Sequence, residues 1–342
     1  MIWGHSVRED KTEYFDKKYS IQYEEAGKMG VHPQVQAVLS RLAELNFPSI
    51  ETAPLSEIRE AFSYSRTQMK EVIAPVASIE DRTLVSPDTE IPIRIYTPEG
   101  PGPHPVLVFF HGGGFVLGDL DTTHNICRYL AWSANCVVVS VDYRLAPEHK
   151  FPAAMEDAYF ATKWVAENAA SFGGDATRIA VGGESAGGNL AAVVSLLARD
   201  GGGPAIIYQL LIYPAVYFGL DSQSCIECGN KYNLTVDEMV WFRDHYLNGP
   251  DDEKNPLVAP LLASDLSGLP PALVVTAEFD PIRDDGEAYA ARLVEHGVKA
   301  TAIRYEGMVH TFLNFSGEVD QSKTALDEIA AGLRNAFLPG EK

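Results

Sequence analysis

Apolar runs alternate with amphipathic segments from about residue 100 to the end of the chain. The apolar runs cover residues 106–110, 137–141, 179–181, 206–212, 272–275 and 300–303. Helical periodicity marks residues 125–132, 153–168, 190–199, 285–296 and 322–337. Strands that are apolar throughout are buried on both faces. The alternation therefore predicts an α/β fold with a mostly parallel central sheet and helices on both of its faces.

The residues before this alternation predict two helices and two strands. Apolar residues recur at helical spacing between Val35 and Leu42, and a second helix is expected over residues 55–69, with Ser56 or a neighbour near its start. Strands are predicted over residues 82–86 and 91–96, the second of which alternates apolar and other residues. The first thirty residues carry scattered aromatic and charged side chains without a clear pattern.

A long insertion interrupts the alternation between the apolar runs that end at Ile212 and begin at Ala272. Residues 217–230 are expected to be irregular and residues 236–247 to be helical. We expect this insertion and the N-terminal helices to form a helical cap. The predicted division is 1–75 for the N-terminal cap helices, 76–215 for the first part of the core, 216–255 for the cap insertion and 256–342 for the second part of the core.

A candidate nucleophile stands between two glycines, where a predicted strand meets a predicted helix. Ser185 is the central residue of GESAG, which begins at Gly183 and ends at Gly187. A serine in such a turn has a strained backbone and an exposed hydroxyl. Side chains two residues before or after the serine would collide within the turn, so glycine is needed at both positions. A glycine-rich loop with a surface serine is the alternative, and the strand–turn–helix context favours the nucleophile.

A serine nucleophile needs a base, and only two histidines follow the insertion. His296 precedes Gly297 at the end of a predicted helix, where a structural role is expected. His310 lies in a loop after the last predicted strand, where catalytic groups of such sheets are found. His310 is therefore the predicted base, with a histidine satisfied in the core as the alternative.

The acid that orients the base is expected after the strand that begins at Ala272. Asp280 follows that strand and precedes a proline. Its rivals are Glu278, Asp284 and Asp285, of which the last two suit the first turn of the next helix. The chain order Ser185, Asp280, His310 is the order typical of α/β-hydrolases.

The run HGGG, from His111 to Gly114, directly follows the predicted strand 106–110. Successive glycines let backbone N–H groups approach a substrate closely and point at one atom. The predicted oxyanion donors are the N–H groups of Gly113, Gly114 and Ala186. A flexible turn is the alternative, but a turn does not require three glycines.

Taken together, these motifs resemble the hormone-sensitive-lipase-like branch of the α/β-hydrolases, the bacterial family IV esterases, over about residues 32–338. The matching motifs are HGGG with Phe115, DYRLAPE from Asp142, GESAGG from Gly183, DPIRD from Asp280, and a loop that ends HTF at Phe312. Glu184 stands where this family more often has Asp or Thr, and the first thirty residues exceed its usual start.

The resemblance implies hydrolysis of carboxylic esters with short to medium acyl chains, and a cap formed by the N-terminal helices and the insertion. It also implies structural support from Tyr143 and Arg144. Two other functions stay open: a catalytically silent receptor of the same fold, which His310 disfavours, and an amidase or lactonase with the same triad. Four aromatic residues could line the pocket or belong to the core: Phe115, Tyr217, Phe218 and Phe242.

Composition narrows the functional classes. The chain has 342 residues, of which 46% are hydrophobic, and a net charge of -20, which disfavours nucleic acid and anionic membranes as partners. Neither a signal peptide nor a transmembrane segment is visible, so we expect a cytoplasmic protein without stable membrane association. Cys225 and Cys228 have CxxC spacing without a second pair, so neither a metal nor another cofactor is implied, and a redox pair is the minor alternative. A homodimer stays open.

Overall fold

The central sheet of this computed structural model follows the alternation in the sequence. The structure describes residues 30–45, 47–87 and 89–338, and in these ranges eight strands pair in the order β1-β2-β4-β3-β5-β6-β7-β8. The strands are β1 (Ser78–Val85), β2 (Glu90–Thr97), β3 (His104–Phe110), β4 (Val137–Val141), β5 (Gly174–Glu184), β6 (Ile206–Ile212), β7 (Ala272–Phe279) and β8 (Ala300–Val309). The strands β3 to β8 are parallel to one another, whereas β1 and β2 are antiparallel at one edge.

Helices cover both faces of the sheet. In the described ranges the α-helices are α1 (Pro33–Ala43), α2 (Leu55–Thr67), α3 (His124–Ala134), α4 (Ala153–Asn168), α5 (Ala186–Gly201), α6 (Gln223–Cys228), α7 (Val236–Tyr246), α8 (Arg283–Glu295) and α9 (Asp320–Phe337). Side chains alternate along β3, so that Val106, Val108 and Phe110 pack in one core with α4, α5 and α8. Leu107 and Phe109 pack in the other core with α3 and α9. Burial of both faces explains why the strand is apolar at every position.

The predicted fold class is confirmed, and the strands run further than their apolar runs. The run 179–181 is the centre of β5, which continues through two glycines to Glu184. In the same way, β8 continues to Val309, so that His310 directly follows the strand. The three candidate catalytic residues therefore directly follow the carboxyl ends of the parallel strands β5, β7 and β8.

Two segments outside the sheet differ in detail from the prediction. Residues 217–230 are not wholly irregular, because they contain the short helix α6. A hydrogen bond from the Ser224 hydroxyl to the Pro281 carbonyl, at 2.8 Å, joins this helix to the core. The second helix begins at Leu55 with Ser56 in its first turn, as predicted, but it ends at Thr67 rather than at residue 69. Residues 1–29, with their aromatic side chains, lie outside the described residues. No helix in the described ranges is long and apolar enough to cross a membrane.

Candidate active site

The turn around Ser185 is closed by backbone on all sides. Ser185 has φ 56° and ψ -116°, a region that residues other than glycine rarely adopt, and α5 begins at the next residue. A Cβ atom at Gly183 would overlap the backbone of Gly187, and one at Gly187 would overlap the Phe110 carbonyl oxygen. The two glycines are therefore steric requirements of the turn, as the motif predicts.

The structure brings the side chains of Ser185, His310 and Asp280 together. Nε2 of His310 lies 2.9 Å from the Ser185 hydroxyl oxygen, and Nδ1 lies 2.7 Å from a carboxylate oxygen of Asp280. The other Asp280 oxygen accepts a hydrogen bond from the Ile282 N–H at 3.0 Å. With Nδ1–H donating to Asp280, the free Nε2 can accept the serine proton. Because His310 and Asp280 are both buried, this hydrogen-bonded chain is protected from water.

The rival acids have other partners. Glu278 accepts a hydrogen bond from the Gly307 N–H at 2.7 Å, and Asp284 accepts one from the Ser224 N–H at 2.7 Å. Asp285 is buried in the first turn of α8, and burial raises its pKa to about 8. Among the described acids, Asp280 is the one bonded to His310.

The alternative base, His296, lies at the C-terminal end of α8, as the sequence predicts. Its Nδ1 is 3.5 Å from the Asp265 carboxylate and its Nε2 is 3.5 Å from a guanidinium nitrogen of Arg292. These contacts join α8 to the loop before β7. His296 is therefore part of the supporting structure rather than of the cavity.

The three residues predicted to supply the oxyanion donors line the same cavity as Ser185. Gly113 and Gly114 have φ +114° and +61°, and together with Ala186 they line the cavity. None of the three N–H groups donates to a backbone carbonyl in the part of the chain that the structure describes. Ala186 also begins α5, where the helix dipole favours negative charge. The arrangement can hold an oxyanion.

The DYRLAPE segment contacts the glycine run through Tyr143. The Tyr143 hydroxyl donates to the His111 carbonyl at 2.8 Å, and the two rings stack with centroids 4.2 Å apart. Arg144 in turn forms an ion pair with Asp157 of α4 at 2.8 Å. Tyr143 contacts the backbone of the glycine run, Arg144 joins the segment to α4, and neither residue lines the cavity, in agreement with a supporting role.

Glu184 is a functional candidate that the sequence reasoning passed over. Its buried carboxylate accepts hydrogen bonds from the Tyr213 hydroxyl at 2.7 Å and from the Asn314 amide at 3.0 Å. The Tyr213 ring contacts the His310 ring edge-on, with centroids 5.0 Å apart. Glu184 thus joins the strand that carries the nucleophile to the loop that carries the base. The position of Glu184 directly before Ser185 is the sequence feature that could have indicated this role.

Asn233, in the insertion, holds the same loop from the opposite side. Its amide nitrogen donates to the His310 carbonyl at 3.0 Å and to the Thr311 hydroxyl at 2.9 Å. Thr311 has φ 62°, so this loop has a strained backbone next to the base. No sequence pattern marks Asn233, because the contact joins residues that are far apart in the chain.

A cavity of about 590 Å³ opens above these groups. Its floor is formed by the glycine run, the Ser185 turn and His310, and its walls by residues 39–69 and 215–243. All four aromatic candidates from the sequence line it: Phe115, Tyr217, Phe218 and Phe242. Phe242 lies directly over Gly114, where it would overlap a Cβ atom. The two segments outside the sheet therefore share the lining of one cavity.

Cys225 and Cys228 lie on α6 as free, buried thiols, and burial raises the pKa of both. Buried thiols with a raised pKa are poor nucleophiles, which disfavours a redox role. Within the described ranges, no group of three His, Cys, Asp or Glu side chains could hold a metal ion.

Comparison with known proteins agrees with this architecture. The model of an α/β-hydrolase fold family matches residues 107–314. A carboxylic ester hydrolase, LipN of Mycobacterium tuberculosis, is 47% identical over 263 residues, 75% of this chain and 70% of the relative. A carboxylesterase, NlhH of the same organism, is 40% identical over 315 residues, 89% of this chain and 97% of the relative.

A solved structure of a hyperthermophilic esterase from Pyrobaculum calidifontis superimposes with a TM-score of 0.85 at 44% identity. The superposition covers 90% of this chain and 99% of that one. The matched family model spans the glycine run, the Ser185 turn and both loops that carry Asp280 and His310. On these grounds, the chain belongs to the α/β-hydrolase family.

Proposed function

We propose that this protein is a carboxylesterase of the hormone-sensitive-lipase-like branch, acting on esters with short to medium acyl chains. The observation that carries the proposal is the chain of two hydrogen bonds from Ser185 through His310 to Asp280, at 2.9 and 2.7 Å. Relatives named as carboxylic ester hydrolases support the reaction class. The motifs HGGG and DYRLAPE support the branch.

In the proposed mechanism, the Ser185 hydroxyl attacks the ester carbonyl while His310 takes its proton at Nε2. Asp280 holds the imidazole in the tautomer that has Nε2 free and stabilises the imidazolium. The N–H groups of Gly113, Gly114 and Ala186 stabilise the oxyanion. His310 then protonates the departing alcohol, and water hydrolyses the acyl-enzyme with His310 again as base.

We also propose that residues 216–255 and the described part of residues 31–75 form the cap that sets the substrate size. A cavity of about 590 Å³ suits small ligands rather than long triglycerides. A series of p-nitrophenyl esters of increasing acyl length tests this point. Turnover should peak at short or medium chains, and a maximum at long chains would contradict the proposed substrate range.

Replacement of the nucleophile tests the mechanism. Ser185→Ala should lower kcat on p-nitrophenyl butyrate by more than about 10⁴-fold, because no other group can form the acyl-enzyme. Ser195→Ala is the matched control, since this buried hydroxyl of α5 bonds only to the Ala191 carbonyl among described residues, at 2.9 Å. The control should keep near-normal turnover. Substantial turnover by folded Ser185→Ala would refute the mechanism.

A further inference from the structure

Five charged side chains besides His310 line the cavity in the described part of the chain: Arg66, Lys231, Arg243, Glu184 and Glu238. Three of them have partners in the protein. Glu184 accepts from Tyr213 and Asn314, Glu238 forms a capping box with Thr235 at the start of α7, and Arg243 lies 3.3 Å from Asp244 and 3.5 Å from Glu253. Two cations, Arg66 and Lys231, are left for a ligand.

Arg66 is the more enclosed of the two. It lies in the last turn of α2 and is half-buried, whereas Lys231 is exposed. The Arg66 Nε–H is buried without an acceptor, and its guanidinium carbon is held 4.8 Å above the centre of the Phe62 ring. None of the ion pairs among described residues includes Arg66. A half-buried guanidinium without an anionic partner in the protein is unfavourable, so an anionic ligand that reaches its exposed part from the cavity would be favoured.

Arg66 lines the same cavity as the reacting groups. Burial and the neighbouring Glu184 carboxylate raise the pKa of Tyr213, whereas Arg66 lowers it. Tyr213 contacts the His310 ring and donates to Glu184, the residue before the nucleophile. Arg66 and the reacting groups thus share one continuous, largely apolar cavity.

We propose that Arg66 is a carboxylate-binding subsite, and that the cavity accepts esters carrying a second, free carboxylate, such as monoesters of dicarboxylic acids. A guanidinium presents parallel N–H donors that match the two oxygens of a carboxylate. This inference rests on the proposed esterase function. The reaction itself is unchanged: the ester C–O bond breaks, water supplies hydroxyl to the acyl group and a proton to the alcohol, and the second carboxylate is not altered.

The net negative charge of the protein makes a cation within the cavity more important for anionic substrates. With a net charge of -20, the protein repels anionic substrates at long range. If an anionic ester is hydrolysed efficiently in spite of this repulsion, a cation within the cavity must attract it. Removal of Arg66 should therefore affect anionic esters selectively.

The test compares anionic and neutral esters on wild type and Arg66→Gln. The anionic probes are the mono-p-nitrophenyl esters of adipic, pimelic and suberic acid, together with 4-carboxyphenyl butyrate, which carries the carboxylate on the alcohol side. The neutral probes are p-nitrophenyl hexanoate, p-nitrophenyl octanoate and phenyl butyrate. Lys163→Gln is the matched control, because it removes the same charge from α4, outside the cavity lining.

Arg66→Gln should lower kcat/KM on at least one anionic probe roughly ten- to a hundredfold, while the neutral probes change less than about threefold. Arg66→Lys should recover part of the loss, and Lys163→Gln should leave the ratio unchanged. Neutral-ester turnover also reports that the variant is folded. Equal effects on both probe classes, or no effect on either, would overturn the subsite and leave the esterase proposal standing. Failure of wild type to hydrolyse any neutral ester would overturn both.

Discussion

The floor and the walls of the cavity are held in different ways. The floor consists of the Ser185 turn and the glycine run, where backbone packs on backbone and the Ser185 N–H donates to the Ile212 carbonyl at 2.9 Å. The walls come from residues 39–69 and 215–243, which contact the floor mainly through side chains such as Phe242 and Asn233. Close backbone contacts leave no room for an added atom, whereas a side chain that makes a contact can be replaced by another side chain. Chemistry should therefore depend on the floor, and substrate choice on the walls.

The largest effect is expected when an atom is added to the floor. Gly187→Ala places a methyl group against the carbonyl oxygens of Phe110 and His111, neither of which can move without distorting β3. We expect loss of the folded protein or a fall in kcat of more than about 10³-fold. Circular dichroism and p-nitrophenyl butyrate turnover measure the two outcomes.

Gly249→Ala is the matched control, because no atom lies within 4 Å of the added methyl group. It should behave like wild type. If Gly187→Ala were as active as Gly249→Ala, the turn would not be closed by backbone, and the contrast between floor and walls would be wrong.

A smaller effect is expected at Glu184, whose carboxylate joins the end of β5 to the loop that carries His310. Glu184→Leu removes the carboxylate that accepts from both the Tyr213 hydroxyl and the Asn314 amide, so the His310 loop should lose its alignment. We expect kcat to fall about tenfold or more with little change in KM. Glu184→Gln keeps an oxygen acceptor and should recover most of the activity. Equal kcat values for the two variants would contradict a positioning role.

A change in the walls should alter preference more than rate. Phe242→Ala removes the ring above Gly114 and widens the cavity there. The ratio of kcat/KM for p-nitrophenyl octanoate to that for p-nitrophenyl acetate should rise about threefold or more. Trp132→Ala, which removes an exposed aromatic ring from α3, is the control and should leave the ratio unchanged. An unchanged ratio in Phe242→Ala would argue against this wall as a determinant of acyl length.

The last effect concerns stability rather than activity. Burial, reinforced by the Asp284 charge, raises the pKa of Asp285 from 3.8 to about 8. A folded-state pKa above the unfolded value means that stability is present at low pH and is lost as pH rises toward 8. Asp285→Asn should therefore match wild type below about pH 4 and exceed its free energy of unfolding by on the order of a few kcal/mol above about pH 8.

Urea unfolding across this pH range measures the gap between Asp285→Asn and wild type. Asp237→Asn, an exposed residue in the first turn of α7, is the control and should show no gap that grows with pH. A gap that is constant with pH would mean that the substitution acts through packing and not through the proton.

The sequence predicted the sheet and the floor better than the walls, for a physical reason. Apolar runs mark buried parallel strands, and the glycines around Ser185 follow from sterics that act within a few residues. The short helix α6 escaped prediction because it depends on contacts of Ser224 with Pro281 and Asp284, far away in the chain. The roles of Asn233 and Arg66 likewise arise only when distant segments meet. The assignment of Ser185, Asp280 and His310 to catalysis stays a prediction, supported by their geometry.

The most direct test of the central claim is the labelling of Ser185 by a p-nitrophenyl alkylphosphonate, followed by peptide mass spectrometry. Wild type should release one equivalent of p-nitrophenol, lose activity in parallel and carry the phosphonyl group on Ser185. His310→Ala should label far more slowly, because the hydroxyl then lacks its base. Labelling at another residue, or an equal rate in His310→Ala, would contradict the account.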